Sequence, residues 1–419
     1  MHALFFQSKP MKSHYAAEAS QLTAFAEAEY RTRLDLIRRS MEERELDALL
    51  ITSEDNFRYI TGFSSPTWVN LTRPRYCVVP LRGDPCLIVP SNNRPIAIAT
   101  SWITDIRTWV SPNPADDGIS LLLDALKGAA RQHGRIGAEL GPQSRLTMPV
   151  GDFLRLKQLL EPVEMVDGDW MLREIRMIKS PAEVQRIRQA ADVASAAFEQ
   201  LPNAVSLGIS ERQFASTFAG NMIKLGAQSI PYMICVSGVG GYSSLHLFPT
   251  DRAITSGDVV VIDVGCTIDG YFCDIDREFS FGSPSDVVRR LHDALWRATE
   301  AGIRAAEPGR KICDIWQAQA SVLEAELPSI GSGARHAANG RMGHGVGLRL
   351  TEPPSVHPAD QTLIRPGMVL TIEPAAEFLG PGQDGQEIKL ATHEENIVVT
   401  ENGPVLLSRR TSRQMPVIS

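Results

Sequence analysis

The stretch Val259–Ser280, VVVIDVGCTIDGYFCDIDREFS, carries three aspartates that strand alternation would set on one surface. Its two apolar runs are joined by Asp269-Gly270, a strong signal for a two-residue hairpin turn. With those residues at the centre of the turn, Ile268 faces Tyr271, Asp263 lies opposite Asp276, and Asp274 lies opposite Gly265. Side chains alternate faces along a strand, so Asp263, Asp274 and Asp276 emerge together. Carboxylates facing one another across a strand pair repel. A cation between them is expected, and a metal ion is the simplest candidate. The alternative is a solvated polar face; the core-like flanks Val259 to Val264, Tyr271 and Phe272 argue against it.

Four further residues could join them. His246 sits in SSLHLFPTD, just before the hairpin. His344 sits in RMGHGVGL, where glycines let backbones approach closely. Glu373 ends the apolar run MVLTIE, and Glu395 opens another in HEENIVVT. A carboxylate at the end of a buried strand is costly without a partner. Each signal alone is weak, since a lone histidine is more often a hydrogen-bonding residue than a ligand. The series is more specific: Asp263, Asp274 eleven residues on, then His344, then Glu373 after twenty-nine and Glu395 after twenty-two.

That series resembles the metal-binding signature of the pita-bread metallohydrolases, which include methionyl and Xaa-Pro aminopeptidases, prolidases and the metal-free creatinases. The resemblance runs from about Arg31 to Gly403 and rests on NFRYITGF, REIRMIKSPAEVQRIRQAA, SGDVVVIDVGCTIDGYFCDIDREF, GHGVGL, RPGMVLTIEPA and EENIVVTENG. It implies an α/β N-terminal domain (creatinase-like) over residues 1–170 and an α+β pita-bread C-terminal domain over 171–419. It makes Asp263, Asp274, His344, Glu373 and Glu395 ligands of two divalent metal ions. Oxygen donors with one imidazole suit Mn, Fe, Co or Zn. It also makes Glu373 the general base and His246 a proton shuttle.

Three positions depart from the family's peptidases. Thr351 stands where a second histidine is usual, His393 where an arginine is usual, and Asp276 where threonine or serine is common. All three are expected on the substrate side. Losing two potential cations there, and gaining an anion, should make the pocket less welcoming to a substrate's free carboxylate. Arg349 and Lys389 are candidates to replace the missing charge. The reading is a dinuclear Xaa-Pro peptidase acting on a small peptide. A creatinase- or ectoine-hydrolase-like enzyme for a small non-peptide amide or amidine is the alternative, with a dimethylsulfoniopropionate-lyase-like enzyme behind it. A binding protein on an inactive scaffold is disfavoured by the intact ligand series.

The elements that must position these residues follow from pattern. Of 419 residues, 43% are hydrophobic and 22% charged, enough core for two domains. The net charge of −7, with no basic block, disfavours nucleic acid. No apolar run is long enough to span a membrane. Residues 1 to about 25 read as a loosely packed arm. Six cysteines without a CxxC pair read as reduced thiols of a cytoplasmic protein. Tyr30, Leu34, Ile37 and Met41 recur at helical spacing, and strands alternating with helices follow as far as a boundary near 167–174. Ser180-Pro181-Ala182-Glu183 and Ser210-Glu211-Arg212-Gln213 are capping boxes that open helices. Family members are often homodimers. Phe57, Tyr59, Phe63 and Trp68 are candidates for a border with the partner's site, or else core residues of the first domain.

Overall fold

The computed structural model describes residues 23–331, 333–337, 340–382 and 385–419. Up to residue 22, the expected N-terminal arm lies outside the described residues. The chain divides between Ile175 and Arg176 into two compact units.

The first unit is an α/β layer. Its six-stranded sheet has the order β4-β3-β2-β1-β5-β6, with β1 Ala48–Ile51, β2 Tyr76–Pro80, β3 Cys86–Pro90, β4 Asp105–Trp109, β5 Arg135–Ala138 and β6 Glu164–Asp167. Strand β1 is buried along its whole length and pairs antiparallel with β2 and parallel with β5. The helix Glu27–Glu43 buries Tyr30, Leu34, Ile37 and Met41, the stripe its sequence announces. Phe57, Phe63 and Trp68 pack on one another with ring centroids 5.1–5.8 Å apart. They and Tyr59 are buried within their own unit. Of the two readings of these aromatics, the structure gives the core.

The second unit repeats one order twice: two helices, then antiparallel strands. Helices Pro181–Gln200 and Glu211–Lys224 precede β7 Ser229–Val239, β8 Asp258–Ile268, β9 Tyr271–Phe272 and β10 Ile275–Phe281. Both helices open on the expected reciprocal caps of Ser180 with Glu183 and Ser210 with Gln213. The Glu183 carboxylate also accepts a hydrogen bond from the Tyr271 hydroxyl at 2.9 Å, tying the cap to the hairpin. Helices Asp286–Ala305 and Ile312–Ile330 follow, packed on each other through Leu291, Leu295, Ala298, Ile315 and Leu323. Then come β11 Arg335–His336, β12 His344–Gly345, β13 Glu352–Ser355, β14 Val369–Ile372, β15 Ala375–Gly382, β16 Gly385–Thr392, β17 Glu395–Thr400 and β18 Gly403–Leu406. The last strand, β19 Val417–Ile418, returns to pair with β10.

The hairpin forms in the expected register. Ile268 pairs with Tyr271, and Asp263 with Asp276. Asp269 and Gly270 both have positive φ, 50° and 84°, which a two-residue turn of this hand demands. Arg186 and Gln228 hold the Asp269 carboxylate from either side. Hydrogen bonds cross the seam between the two halves of this unit: Asn396 exchanges hydrogen bonds with the Asp274 backbone, and the Thr392 N–H donates to Glu278.

Candidate metal centre

Each half of the second unit supplies part of the site. Asp263 comes from the middle of β8, and Asp274 from the link between β9 and β10. His344 opens β12, Glu373 follows β14, and Glu394 precedes β17. Asp274, His344 and Glu394 are all buried, with one potential ligand atom each lying within 4.8 Å of the others.

Local structure fixes the imidazole. The Gly345 carbonyl lies 2.9 Å from His344 Nδ1 and can only accept, so Nδ1 carries a proton and Nε2 is the nitrogen turned to the site. Nε2 faces Asp274 Oδ2 and Glu373 Oε1, both at 3.4 Å. The His344 N–H donates to the Thr371 hydroxyl at 3.0 Å, and that hydroxyl donates to Glu373 at 3.3 Å. Gly345 is required here: a Cβ would stand 2.3 Å from the Pro353 carbonyl oxygen.

Tyr232 fixes Asp263 by donating its hydroxyl to Oδ2 at 2.6 Å. Asp263 Oδ1 and Glu394 Oε1 are buried without partners. Burial pushes Asp263 up to about 7 against the Tyr232 hydrogen bond, with the Glu373 charge adding to the rise. Burial and then neighbouring carboxylates push Asp274 and Glu394 well above their ordinary range. Burial opposes a charge on His344, but Glu373 and Asp274 outweigh it and raise its pKa. Orphaned buried oxygens, an imidazole nitrogen turned to the site and crowded carboxylates fit divalent ions, which would reverse these proton affinities.

The structure corrects one expected ligand. Residues 394 and 395 point to opposite sides, and it is Glu394 that faces Asp274 and His344. Glu395 is fully buried on the other side, ion-paired with Arg277 at 3.0 Å and bonded by the Ser408 hydroxyl. Two consecutive glutamates cannot be separated by spacing alone. A buried arginine on β10 needs an acid, but that signal does not say which of the two supplies it.

The shift by one residue moves the substrate-side positions as well. With Glu394 in the site, the position two residues earlier is Thr392. His393 is buried away from the site, its Nδ1 3.0 Å from the Thr299 hydroxyl. Burial and then Arg277 hold His393 well below the ordinary histidine range, so it is neutral and not a cation for substrate. Asp276 does lie on the metal face, opposite Asp263. His246 and Thr351 are exposed; the His246 N–H bonds to the Ser244 hydroxyl. Of the candidate replacement cations, buried Lys389 is paired with Glu387. Arg341, which spacing did not single out, lies 3.7 Å from Glu373 with its side chain 39% exposed.

Behind His344, Glu352 anchors the following loop. It is buried, pairs with Arg176 and with Lys179 at 3.2 Å, and accepts the Arg349 N–H at 3.0 Å. Burial would raise its pKa, but Arg176 and Lys179 outweigh that and hold it below the ordinary range.

Comparison with known proteins bears on the family and the fold. Residues 185–401 match the Metallopeptidase family M24, and residues 33–178 match the Creatinase/Prolidase N-terminal domain. The chain is 29% identical to the probable dipeptidase PepE of Mycobacterium tuberculosis, over 90% of this chain and 93% of that one. It is 27% identical to the Xaa-Pro dipeptidase of Pyrococcus horikoshii, over 90% and 96%. The crystal structure of dipeptidase PepE from Mycobacterium ulcerans superposes with a TM-score of 0.77 at 28% identity, covering 94% of this chain and 99% of that one.

Proposed function

From the premise that the chain belongs to metallopeptidase family M24, we propose that it is a two-metal peptidase cleaving Xaa-Pro peptides. The observation that carries this reading is the convergence of Asp274, His344 and Glu394, with Asp263 and Glu373 beside them. Those five residues would hold the ions, and one imidazole among oxygen donors suits Mn, Fe, Co or Zn. When bound, such ions supply a nucleophile at neutral pH and polarise the scissile carbonyl.

The remaining chemistry belongs to the chain. Tyr232 keeps Asp263 oriented, and the Gly345 carbonyl keeps His344 Nε2 turned to the site. Glu373, with 27% of its side chain exposed, is open to substrate and is the general base, taking a proton at its carboxylate. His246, on an exposed loop before β8, is the candidate proton shuttle on the leaving-group side. Arg341 offers the cation a dipeptide's free carboxylate needs, a role the loss of arginine at Thr392 left open. The named relatives support peptides as substrate over a small amide, an amidine or a lyase substrate. All six cysteines are free thiols, consistent with a cytoplasmic setting, and a homodimer remains the expected assembly.

The test is metal-reconstituted protein assayed on Xaa-Pro dipeptides, longer Xaa-Pro peptides and a panel of small amides, beside elemental analysis. Two ions per chain and turnover of Xaa-Pro peptides are expected. Fewer than one ion per chain, or turnover of the small amides alone, would refute the proposal.

A further inference from the structure

Asp276 has no place among those five residues, yet it shares their surface. It lies directly opposite Asp263 in the β8–β10 pairing, two residues beyond Asp274. It is 6% exposed. The Thr392 hydroxyl is its hydrogen-bonding neighbour, and its Oδ1 is buried without a partner. The adjacent Arg277 does not answer it: that guanidinium donates to the backbone carbonyls of Asp276, Glu394 and Arg409 and to the Glu395 carboxylate.

Two more carboxylate oxygens share this condition, Asp263 Oδ1 and Glu394 Oε1. Asp276 and Asp263 are cross-strand partners on one face of the hairpin, whereas Glu394 lies with Asp274 and His344. A single buried oxygen without a partner already calls for an explanation. Two of these, on the cross-strand partners Asp263 and Asp276, call for a common cation. The other side of the site differs, because there Asp274 and Glu373 both touch the His344 ring at 3.4 Å.

We infer that Asp276 is a sixth metal ligand, which joins its cross-strand partner Asp263 in an all-oxygen half-site for a hard divalent ion. The half-site bearing His344 takes the softer ion. This rests on the two-metal reading above and adds a difference between its two positions. The oxygen half-site favours Mn²⁺ or Mg²⁺, whereas the imidazole half-site favours Zn²⁺ or Co²⁺.

The experiment titrates the full-length metal-free protein with Mn²⁺, followed by calorimetry and by the Mn²⁺ electron paramagnetic resonance signal. Wild type is compared with Asp276→Asn and Asp276→Thr, two substitutions of similar size that retain a polar group. Wild type should bind two ions. Both variants should keep one Mn²⁺ at wild-type affinity and bind the other at least tenfold more weakly. Two ions bound at wild-type affinity by either folded variant would overturn the role of Asp276 and leave the two-metal reading intact. Fewer than two bound by wild type would overturn both.

Discussion

Glu394 and Glu395 are consecutive in the chain and serve opposite sides of the strand they open. One faces Asp274 and His344, and the other is paired with Arg277 at 3.0 Å. Their amide variants should therefore separate cleanly. Glu394→Gln should lose metal and activity while folding normally. Glu395→Gln should retain metal but lose roughly 3 kcal/mol of stability, because Arg277 is left buried without its counter-charge. Elemental analysis and urea denaturation of the two variants check this. The reverse pattern would return Glu395 to the site.

The metal-free protein should weaken as pH rises. A carboxyl whose folded pKa lies above its unfolded value binds its proton more tightly in the native state, so stability falls between the two values. For Asp263 that window runs from the ordinary aspartate pKa, about 4, to about 7. Melting without metal should be lower at pH 8 than at pH 5.5 by at least about 3 °C, and saturating Mn²⁺ should remove the difference. A metal-free melting temperature that is flat across this range would contradict it.

Glu352 should behave in the opposite sense. Its folded pKa is depressed by Arg176 and Lys179, so its contribution is present above the ordinary glutamate pKa and is lost as pH falls through the folded value. Glu352→Gln should cost about 3–5 kcal/mol at pH 7 by stranding two buried cations. The gap to wild type should narrow below about pH 4. Denaturant titrations at pH 7 and pH 3.5 measure both numbers.

Arg341 is the exposed cation beside the base. Arg341→Gln should raise KM for Xaa-Pro dipeptides about tenfold, equivalent to about 1.4 kcal/mol of lost binding. Peptides with an amidated C-terminus should be unaffected. Equal loss on both substrates would mean that Arg341 acts through Glu373 rather than on the substrate carboxylate.

In the first unit, Phe57→Ala removes the ring that packs on both Phe63 and Trp68. It should cost about 3–5 kcal/mol of that unit's stability and leave metal stoichiometry unchanged. Calorimetric unfolding of the metal-loaded variant tests it.

Much of this was legible in the sequence where local rules act alone. Asp269-Gly270 fixed the register that brings Asp263 against Asp276, and the serine caps marked two helix starts. The glycines around His344 announced the close backbone approach that Gly345 makes to Pro353. The errors arose where a choice depends on distant partners. Choosing between Glu394 and Glu395 requires knowing where Arg277 points, and that depends on how β10 meets the start of β17. Neither the burial of His393 under Thr299 nor the position of Arg341 beside Glu373 leaves a periodic trace, because each contact joins residues far apart in the chain.

The twofold order of helices and strands in the second unit has a mechanical consequence. Two aspartates come from its first half, and a histidine and two glutamates from its second. A fragment ending after β10 would carry anions with nothing to gather around, and the complementary fragment would be equally incomplete. Ions seated among the five would therefore act as rivets across a joint, and stripping them should loosen the halves from one another before either half unravels.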